Sequence, residues 1–158
     1  MIKLEKKESI YFLRMDAGEN RWNTTFVREI AKALDTIEDD EGPGALITSA
    51  TDSKFFSNGL DLYWMQAPED HRDGGDREVF GKEFMYLMGR FITLPIPTVC
   101  ALNGHTFGAG FMFALSHDFR IMREDRGFIC ANEMQLGLPI PRPELALFKH
   151  KIPANDFF

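Results

Sequence analysis

Apolar residues recur at helical spacing in two stretches of the chain. The first stretch carries Phe26, Ile30, Leu34 and Ile37, and the second carries Phe80, Phe84, Leu87 and Phe91. Steps of three and four residues place these side chains on one face, which predicts two amphipathic helices. Asn23 or Thr24 can cap the start of the first helix, and Pro95 and Pro97 end the second.

Shorter apolar runs, broken by glycine, asparagine or proline, predict strands. These runs are residues 2–7 and 9–15, which form a hairpin, then 45–48, 55–57, 96–102, 118–122 and 128–131. A helix is predicted after Gly110, and a last one begins near Pro143-Glu144. The order strand, strand, helix repeats with variation, which predicts an α/β fold. Residues 68–76 contain no apolar residue and predict a mobile surface loop.

Two breaks between a strand and a helix are rich in small residues. One is Asn58-Gly59-Leu60-Asp61, where Asp61 can cap a short helix that contains Leu62, and the other is Gly108-Ala109-Gly110. Small residues let a ligand approach the backbone, and the unpaired N–H groups at such a break favour negative charge. These two breaks are therefore candidate binding positions for a developing oxyanion.

Composition fits a single folded domain. The chain has 158 residues, of which 44% are apolar and 27% charged, so it is not disordered. Eighteen basic and twenty-four acidic residues give a net charge of −6 without a basic stripe, so no nucleic-acid partner is expected. No apolar stretch reaches about 18 residues, so no membrane span is expected. Cys100 and Cys130 lie in apolar runs and are predicted to be reduced, buried thiols.

Several other kinds of site are not indicated by the sequence. The histidines His71, His105, His117 and His150 lie far apart and have no cysteine or carboxylate at ligand spacing, so no metal site is expected. Ser57 and Ser116 lack the sequence context of a nucleophile. The glycines around Gly108 are not followed by the Lys-Ser/Thr of a phosphate loop.

Three segments, 55–62, 102–121 and 128–138, together resemble the enoyl-CoA hydratase/isomerase (crotonase) family. Their order and spacing match the family from the first hairpin to about Pro141. The resemblance implies a spiral of repeated ββα units in one core domain over residues 1–158. It also implies that the chain is truncated before the family's C-terminal helices, which help to build homotrimers, so a trimer is doubtful for this chain.

The resemblance also implies which residues meet an acyl-CoA substrate. The amides of Leu60 and Ala109 would hold the thioester oxygen. The other implied binding residues are Asn58, Gly59, Asp61, Leu62, Gly108, Gly110 and Asn132, with Arg21-Trp22 beside them. No separate cofactor is expected, because coenzyme A is part of the substrate.

The catalytic carboxylates decide which reaction the resemblance implies. A hydratase of this family uses two glutamates, and the first position is Met112 here. The second position is Glu133, and a single glutamate there is similar to Δ3,Δ2-enoyl-CoA isomerases, in which it moves a proton from C2 to C4. A later position used by another isomerase subgroup is Pro141. We expect Phe111, Met112 and Phe128 to lie near Glu133, to raise its basicity and to keep water out.

Two alternatives to the isomerase remain open at this stage. One is hydration of 2-enoyl-CoA, and the other is an inert fragment that binds acyl-CoA weakly or associates with longer subunits. Members of the family work in peroxisomes or mitochondria, and the peroxisome is favoured here. No signal peptide follows Met1, and Asn155–Phe158 is not a peroxisomal Ser-Lys-Leu signal.

Overall fold

A computed structural model of the protein describes residues 1–68 and 73–157. The strands are β1 (Ile2–Lys7), β2 (Ile10–Met15), β3 (Ala45–Ala50), β4 (Phe55–Ser57), β5 (Thr98–Leu102), β6 (His105–Phe107), β7 (Phe119–Met122) and β8 (Ile129–Cys130). The helices are α1 (Thr24–Glu38), α2 (Leu62–Gln66), α3 (Phe80–Thr93), α4 (Ala109–Leu115), α5 (Arg142–Lys151) and α6 (Ala154–Phe157), with a 3₁₀ turn at Met134–Leu136.

The strands divide between two sheets. The larger sheet has the order β1-β2-β3-β5-β7, in which β1 and β2 are antiparallel and the later neighbours are parallel. The smaller sheet has the order β4-β6-β8, with all its strands parallel. After the hairpin, the strands follow one another in pairs along the chain. The first strand of each pair (β3, β5, β7) lies in the large sheet, and the second (β4, β6, β8) lies in the small one. This alternation confirms the predicted spiral of ββα units in an α/β fold.

Helices α1 and α3 pack side by side, as their apolar stripes predict. The side chain of Asn23 accepts a hydrogen bond from the Phe26 amide at 2.9 Å and caps α1. Arg90 of α3 reaches α1, where its guanidinium lies 2.7 Å from the carboxylates of Asp35 and Glu38. Because the Arg90 side chain is largely covered, these ion pairs fix the helix pair more firmly than fully exposed ones would.

Trp22 lies at the centre of the core that supports the small sheet. The aromatic rings of Phe26, Phe84 and Phe113 lie 5.0–5.1 Å from its ring, each in an edge-to-face arrangement. Its indole Nε1 donates to the hydroxyl of Ser57 at 3.0 Å. Ser57 is therefore a buried structural serine that ties the end of β4 to the aromatic core.

The pair His117-Asp118 stabilises the end of α4. Burial lowers the pKa of His117 to about 4, and its ring nitrogens contact the Phe113 carbonyl at 2.9 Å and the Thr48 hydroxyl at 2.8 Å. The Asp118 carboxylate accepts from the backbone amide and the hydroxyl of Thr98. These contacts join α4 to β3 and β5, so His117 and Asp118 have a structural role.

Three sequence predictions need correction or restriction. The strand β6 was not predicted, because its three residues follow directly after Asn103-Gly104. Cys130 is only half-buried, whereas Cys100 is fully buried, and both thiols are free. Within the predicted mobile loop, residues 69–72 lie outside the described residues, and the Gly74 carbonyl accepts from the Thr25 amide at 2.9 Å. None of the helices in the described part of the chain is long and apolar enough to cross a membrane.

We predict opposite effects from alanine at two helical glycines. A Cβ on Gly110 would lie 2.5 Å from the Ser57 Cβ, so Gly110→Ala should lower the free energy of unfolding by about 1–3 kcal/mol. A Cβ on Gly89 would meet nothing within 4 Å, so Gly89→Ala should raise it by about 0.5–1 kcal/mol. Urea unfolding measures both, and a Gly110→Ala protein as stable as the wild type would contradict this packing.

Candidate active site

Two strand-to-helix turns meet at the ends of β4 and β6. Gly59 has φ +77° and Gly108 has φ +47°, in the left-handed region that favours glycine. A Cβ on Gly59 would lie 3.0 Å from the Phe107 carbonyl oxygen and 3.8 Å from the Gly108 Cα. The two turns therefore pack backbone against backbone, with little room for a side chain between them.

The first turn is held by the segment that precedes α1. The Trp22 amide donates to the Gly59 carbonyl at 2.8 Å, and the Asp61 amide donates to the Trp22 carbonyl at 2.9 Å. The Asn58 amide donates to the Glu19 carbonyl at 2.9 Å, and its side-chain amide donates to the Glu19 carboxylate at 2.8 Å. These bonds fix the backbone on both sides of Leu60.

The amides of Leu60 and Ala109 are available to a ligand. The bridge between Trp22 and Leu60 uses the amides of Trp22 and Asp61, and leaves that of Leu60 unused. Ala109 begins α4, and the first amides of a helix have no partner within it. Neither amide donates a hydrogen bond to any residue in 1–68 or 73–157.

Glu133 reaches the same place from the end of β8. The Gly108 amide donates to the Cys130 carbonyl at 3.0 Å, which brings β8 alongside the glycine turn. A Cβ on Gly108 would lie only 2.8 Å from Oε1 of Glu133 and 3.5 Å from Oδ1 of Asn132. The carboxyl group of Glu133 therefore lies directly against the turn that carries the Ala109 amide.

The environment of Glu133 makes its carboxylate more basic than an exposed one. Its Oε2 is buried and has no hydrogen-bond partner among the described residues. Burial raises the pKa of Glu133 above its usual value, because a charged carboxylate loses hydration there. Such a group is suited to taking a proton from carbon.

These groups line one cavity of about 460 Å³, a size typical of small-molecule sites. Its walls are largely apolar, with a few polar groups at the two turns. The lining residues are Arg21, Asn58, Gly59, Leu60, Leu62, Met65, Phe80, Gly81, Phe84, Gly108, Ala109, Met112, Asn132, Glu133, Leu136, Leu138, Pro139, Pro141 and Glu144.

The sequence matches the family model described as enoyl-CoA hydratase/isomerase over residues 5–154. The chain belongs to the enoyl-CoA hydratase/isomerase family. It is 34% identical over 153 residues to enoyl-CoA delta isomerase 3 of Arabidopsis thaliana, and 34% identical over 154 residues to the peroxisomal enoyl-CoA delta isomerase 2 of that plant. Each match covers 96% of this chain, and the chain spans 64% of the length of each relative.

The family's fold is also found among solved structures. A probable enoyl-CoA hydratase from Mycobacterium tuberculosis H37Rv superposes with a TM-score of 0.86 at 25% identity, covering 99% of this chain and 64% of that one. This match confirms the crotonase-like arrangement expected from the three sequence segments.

Most residues that the family resemblance indicated do line the cavity, but three do not. The Asp61 carboxylate accepts from the Trp64 amide at 3.1 Å and caps α2. Gly110 packs against Ser57, and Trp22 is enclosed in the aromatic core. The structure gives these three residues supporting positions and places no part of them on the cavity wall.

The prediction that Phe111 and Phe128 lie near Glu133 is also wrong. Phe128 is 69% exposed, because it lies just before β8, at the edge of the small sheet. Its ring stacks on that of His105 and not on the cavity wall. Phe111 points away from the cavity toward α5, with its ring centre 5.4 Å from that of Phe148. The apolar walls come instead from α2, α3 and the segment that begins at Leu136. Of the three apolar neighbours expected for Glu133, only Met112 lines the cavity.

Sequence reasoning missed a second carboxyl group in the cavity, that of Glu144. It lies in the first turn of α5, which packs against α4 and closes one side of the cavity. Burial, and to a lesser extent the charge of Glu133, raises the pKa of Glu144 to about 7. In the sequence Glu144 only marks a helix start, so no local signal indicated its position in the site. Among the described residues, no cluster of His, Cys, Asp and Glu is arranged to hold a metal ion.

We predict that Glu144 makes stability depend on pH. Its pKa is raised in the folded protein from 4.5 to about 7, so the unfolded chain releases this proton first as pH rises. The folded state therefore loses stability between these values, by about 1–2 kcal/mol after allowing for solvent contact. Relative to the wild type, Glu144→Gln should be similarly stable below pH 4.5 and more stable at pH 8.

Urea unfolding at several pH values tests this expectation. The exposed Glu124 lies in the turn after β7, so Glu124→Gln removes the same charge from the surface and serves as the matched control. A difference between wild type and Glu144→Gln that stays constant from acid to pH 8 would show that the Glu144 carboxyl is well solvated.

Proposed function

We propose that the protein is a Δ3,Δ2-enoyl-CoA isomerase, which shifts the double bond of an unsaturated acyl-CoA from C3 to C2. The observation that carries this proposal is the position of one basic carboxylate, Glu133, against the glycine turn that presents the Ala109 amide. The relatives named enoyl-CoA delta isomerases support it, and the setting would be β-oxidation of unsaturated fatty acids.

The amides of Leu60 and Ala109 would bind the thioester oxygen in this reaction. When a proton leaves C2, the electron pair of that C–H bond moves toward the carbonyl and the oxygen becomes negative. Amides fixed before the reaction stabilise this dienolate more than the neutral substrate, and one such donor is worth about 3 kcal/mol. Because both turns are held by neighbouring backbone, the donors need little rearrangement.

Glu133 would act as the base and then as the acid. Its carboxylate takes the C2 proton, and the dienolate carries negative charge on both C2 and C4. Returning a proton to C4 moves the C3 double bond to C2, and no atom is gained or lost. The burial that raises the pKa of Glu133 lowers the barrier of the first step.

The cavity would hold the acyl chain and the near end of coenzyme A. Leu62, Met65 and Phe84 offer apolar contacts to an acyl chain. Asn58 and Arg21 add polar groups to the cavity wall. Coenzyme A belongs to the substrate, so the reaction requires no separate cofactor.

The isomerase is favoured over the hydratase because of Met112. This residue is 3% exposed and lines the cavity at the position where the resemblance places a hydratase's first glutamate. A thioether cannot activate water as a base. The peroxisome remains the favoured compartment, supported by the peroxisomal name of a relative.

We predict that Glu133→Gln abolishes isomerisation of a 3-enoyl-CoA. Glutamine keeps the size of the side chain but cannot accept the C2 proton, so kcat should fall by about 10³-fold or more. Binding of a saturated acyl-CoA, measured by calorimetry, should survive within about threefold, because uniform binding does not need the base. The assay follows the formation of conjugated 2-enoyl-CoA.

The control for this experiment is Glu124→Gln, which alters an exposed carboxylate outside the cavity and should keep full turnover. A Glu133→Gln protein that still isomerises would reject the assignment of Glu133. Assaying 2-enoyl-CoA hydration beside isomerisation separates the two enzyme reactions. Sedimentation together with the turnover assay identifies an inert chain, since that chain would show no activity in any assembly state.

A further inference from the structure

The first turn of α5 brings a second carboxyl group, Glu144, into the cavity that contains Glu133. Glu144 is half-buried, and its carboxyl group forms no hydrogen bond or ion pair with another residue of the described chain. Neighbouring parts of the same wall are apolar, since Leu138, Pro139 and Pro141 come from the segment that leads into α5. A carboxyl group without a partner is costly on an apolar wall, so a structural role does not account for it.

The two carboxyl groups differ in their surroundings. Glu133 lies against the Gly108 turn, beside the amide proposed to hold the thioester oxygen, whereas Glu144 enters the cavity from the first turn of α5. The charge of Glu133 favours the protonated form of Glu144, which adds to the effect of burial in raising the pKa of Glu144 to about 7. Two carboxyl groups in one cavity with different surroundings are the arrangement expected of a base and an acid.

We propose that Glu144 is a second acid–base residue of this site, which delivers the proton to C4 while Glu133 removes the proton from C2. The proposal rests on the proposed isomerase function and changes only how the second proton transfer occurs.

The two-residue reaction balances without a further reactant. The Glu133 carboxylate forms an O–H bond with the C2 proton, and the C2–H electron pair enters the dienolate. The dienolate then uses its electrons to form a C–H bond at C4 with the proton of the Glu144 carboxylic acid, whose O–H bond breaks. The site is reset when Glu133 loses its proton to water and Glu144 takes one from water.

This scheme gives the hydrogen at C4 a different origin from that in a single-carboxyl shuttle. If Glu133 worked alone, the hydrogen removed from C2 would be returned to C4 of the same molecule. With Glu144 as the donor, the hydrogen at C4 comes from a group that exchanges with water between turnovers. Deuterium placed at C2 therefore distinguishes the two schemes.

The experiment follows a 3-enoyl-CoA that carries deuterium at C2 through turnover in ordinary water, with mass spectrometry locating the label in the product. For the wild type we expect little deuterium at C4. Glu144→Gln should lower kcat by about 10²-fold with KM nearly unchanged, since proton donation is lost but binding is not. Its residual turnover should carry the label from C2 to C4, because Glu133 must then perform both transfers.

Two further variants keep the test decisive. Glu144→Asp retains a carboxyl group on a shorter side chain, so it should recover part of the rate and keep a water-derived hydrogen at C4, even if the glutamine variant folds poorly. Glu124→Gln, on the exposed turn after β7, should match the wild type.

Efficient transfer of label to C4 by the wild type, or a Glu144→Gln variant with unchanged kcat, would overturn the role of Glu144 while leaving the isomerase assignment intact. A wild-type chain without isomerisation would overturn both.

Discussion

The close approach of two backbone turns is the constraint on which the rest of this structure depends. Gly59 lies against the Phe107 carbonyl, and Gly110 lies against the Ser57 side chain, so a side chain at either glycine would push the turns apart. The Ser57 hydroxyl holds the junction from the core side, because it accepts from Trp22 and donates to the Asn20 carbonyl at 2.8 Å. The packed aromatic core therefore helps to fix the position of the amides that face the cavity.

The topology explains why three distant parts of the sequence meet at this junction. The strands β4, β6 and β8 are adjacent and parallel, so their carboxyl ends lie at the same edge of the small sheet. Leu60 follows the first of these strands, Ala109 the second and Glu133 the third. Each ββα unit therefore contributes one element of the site, and ligand sites are commonly found at such an edge.

The fold was predictable from sequence because its signals are local. The hairpin, the apolar stripes of α1 and α3, and the cap at Asn23 each depend on neighbouring residues, and the structure confirms them. The position of a side chain in the site depends on long-range packing instead. Phe128 is close to Glu133 in sequence, yet it points to solvent from an edge, and Glu144 reaches the cavity only because α5 folds back against α4.

The cavity shows why a site of this kind is costly to the fold. Oε2 of Glu133 is buried without a partner, and burial raises the pKa of both Glu133 and Glu144. The loss of hydration on burial destabilises the folded protein. The same loss raises the pKa of both groups, which makes Glu133 a stronger base and favours the protonated form of Glu144. A hydrogen-bond donor beside either carboxyl would stabilise the fold and weaken the chemistry proposed for these groups, so the apolar walls serve the proposed reaction at a cost in stability.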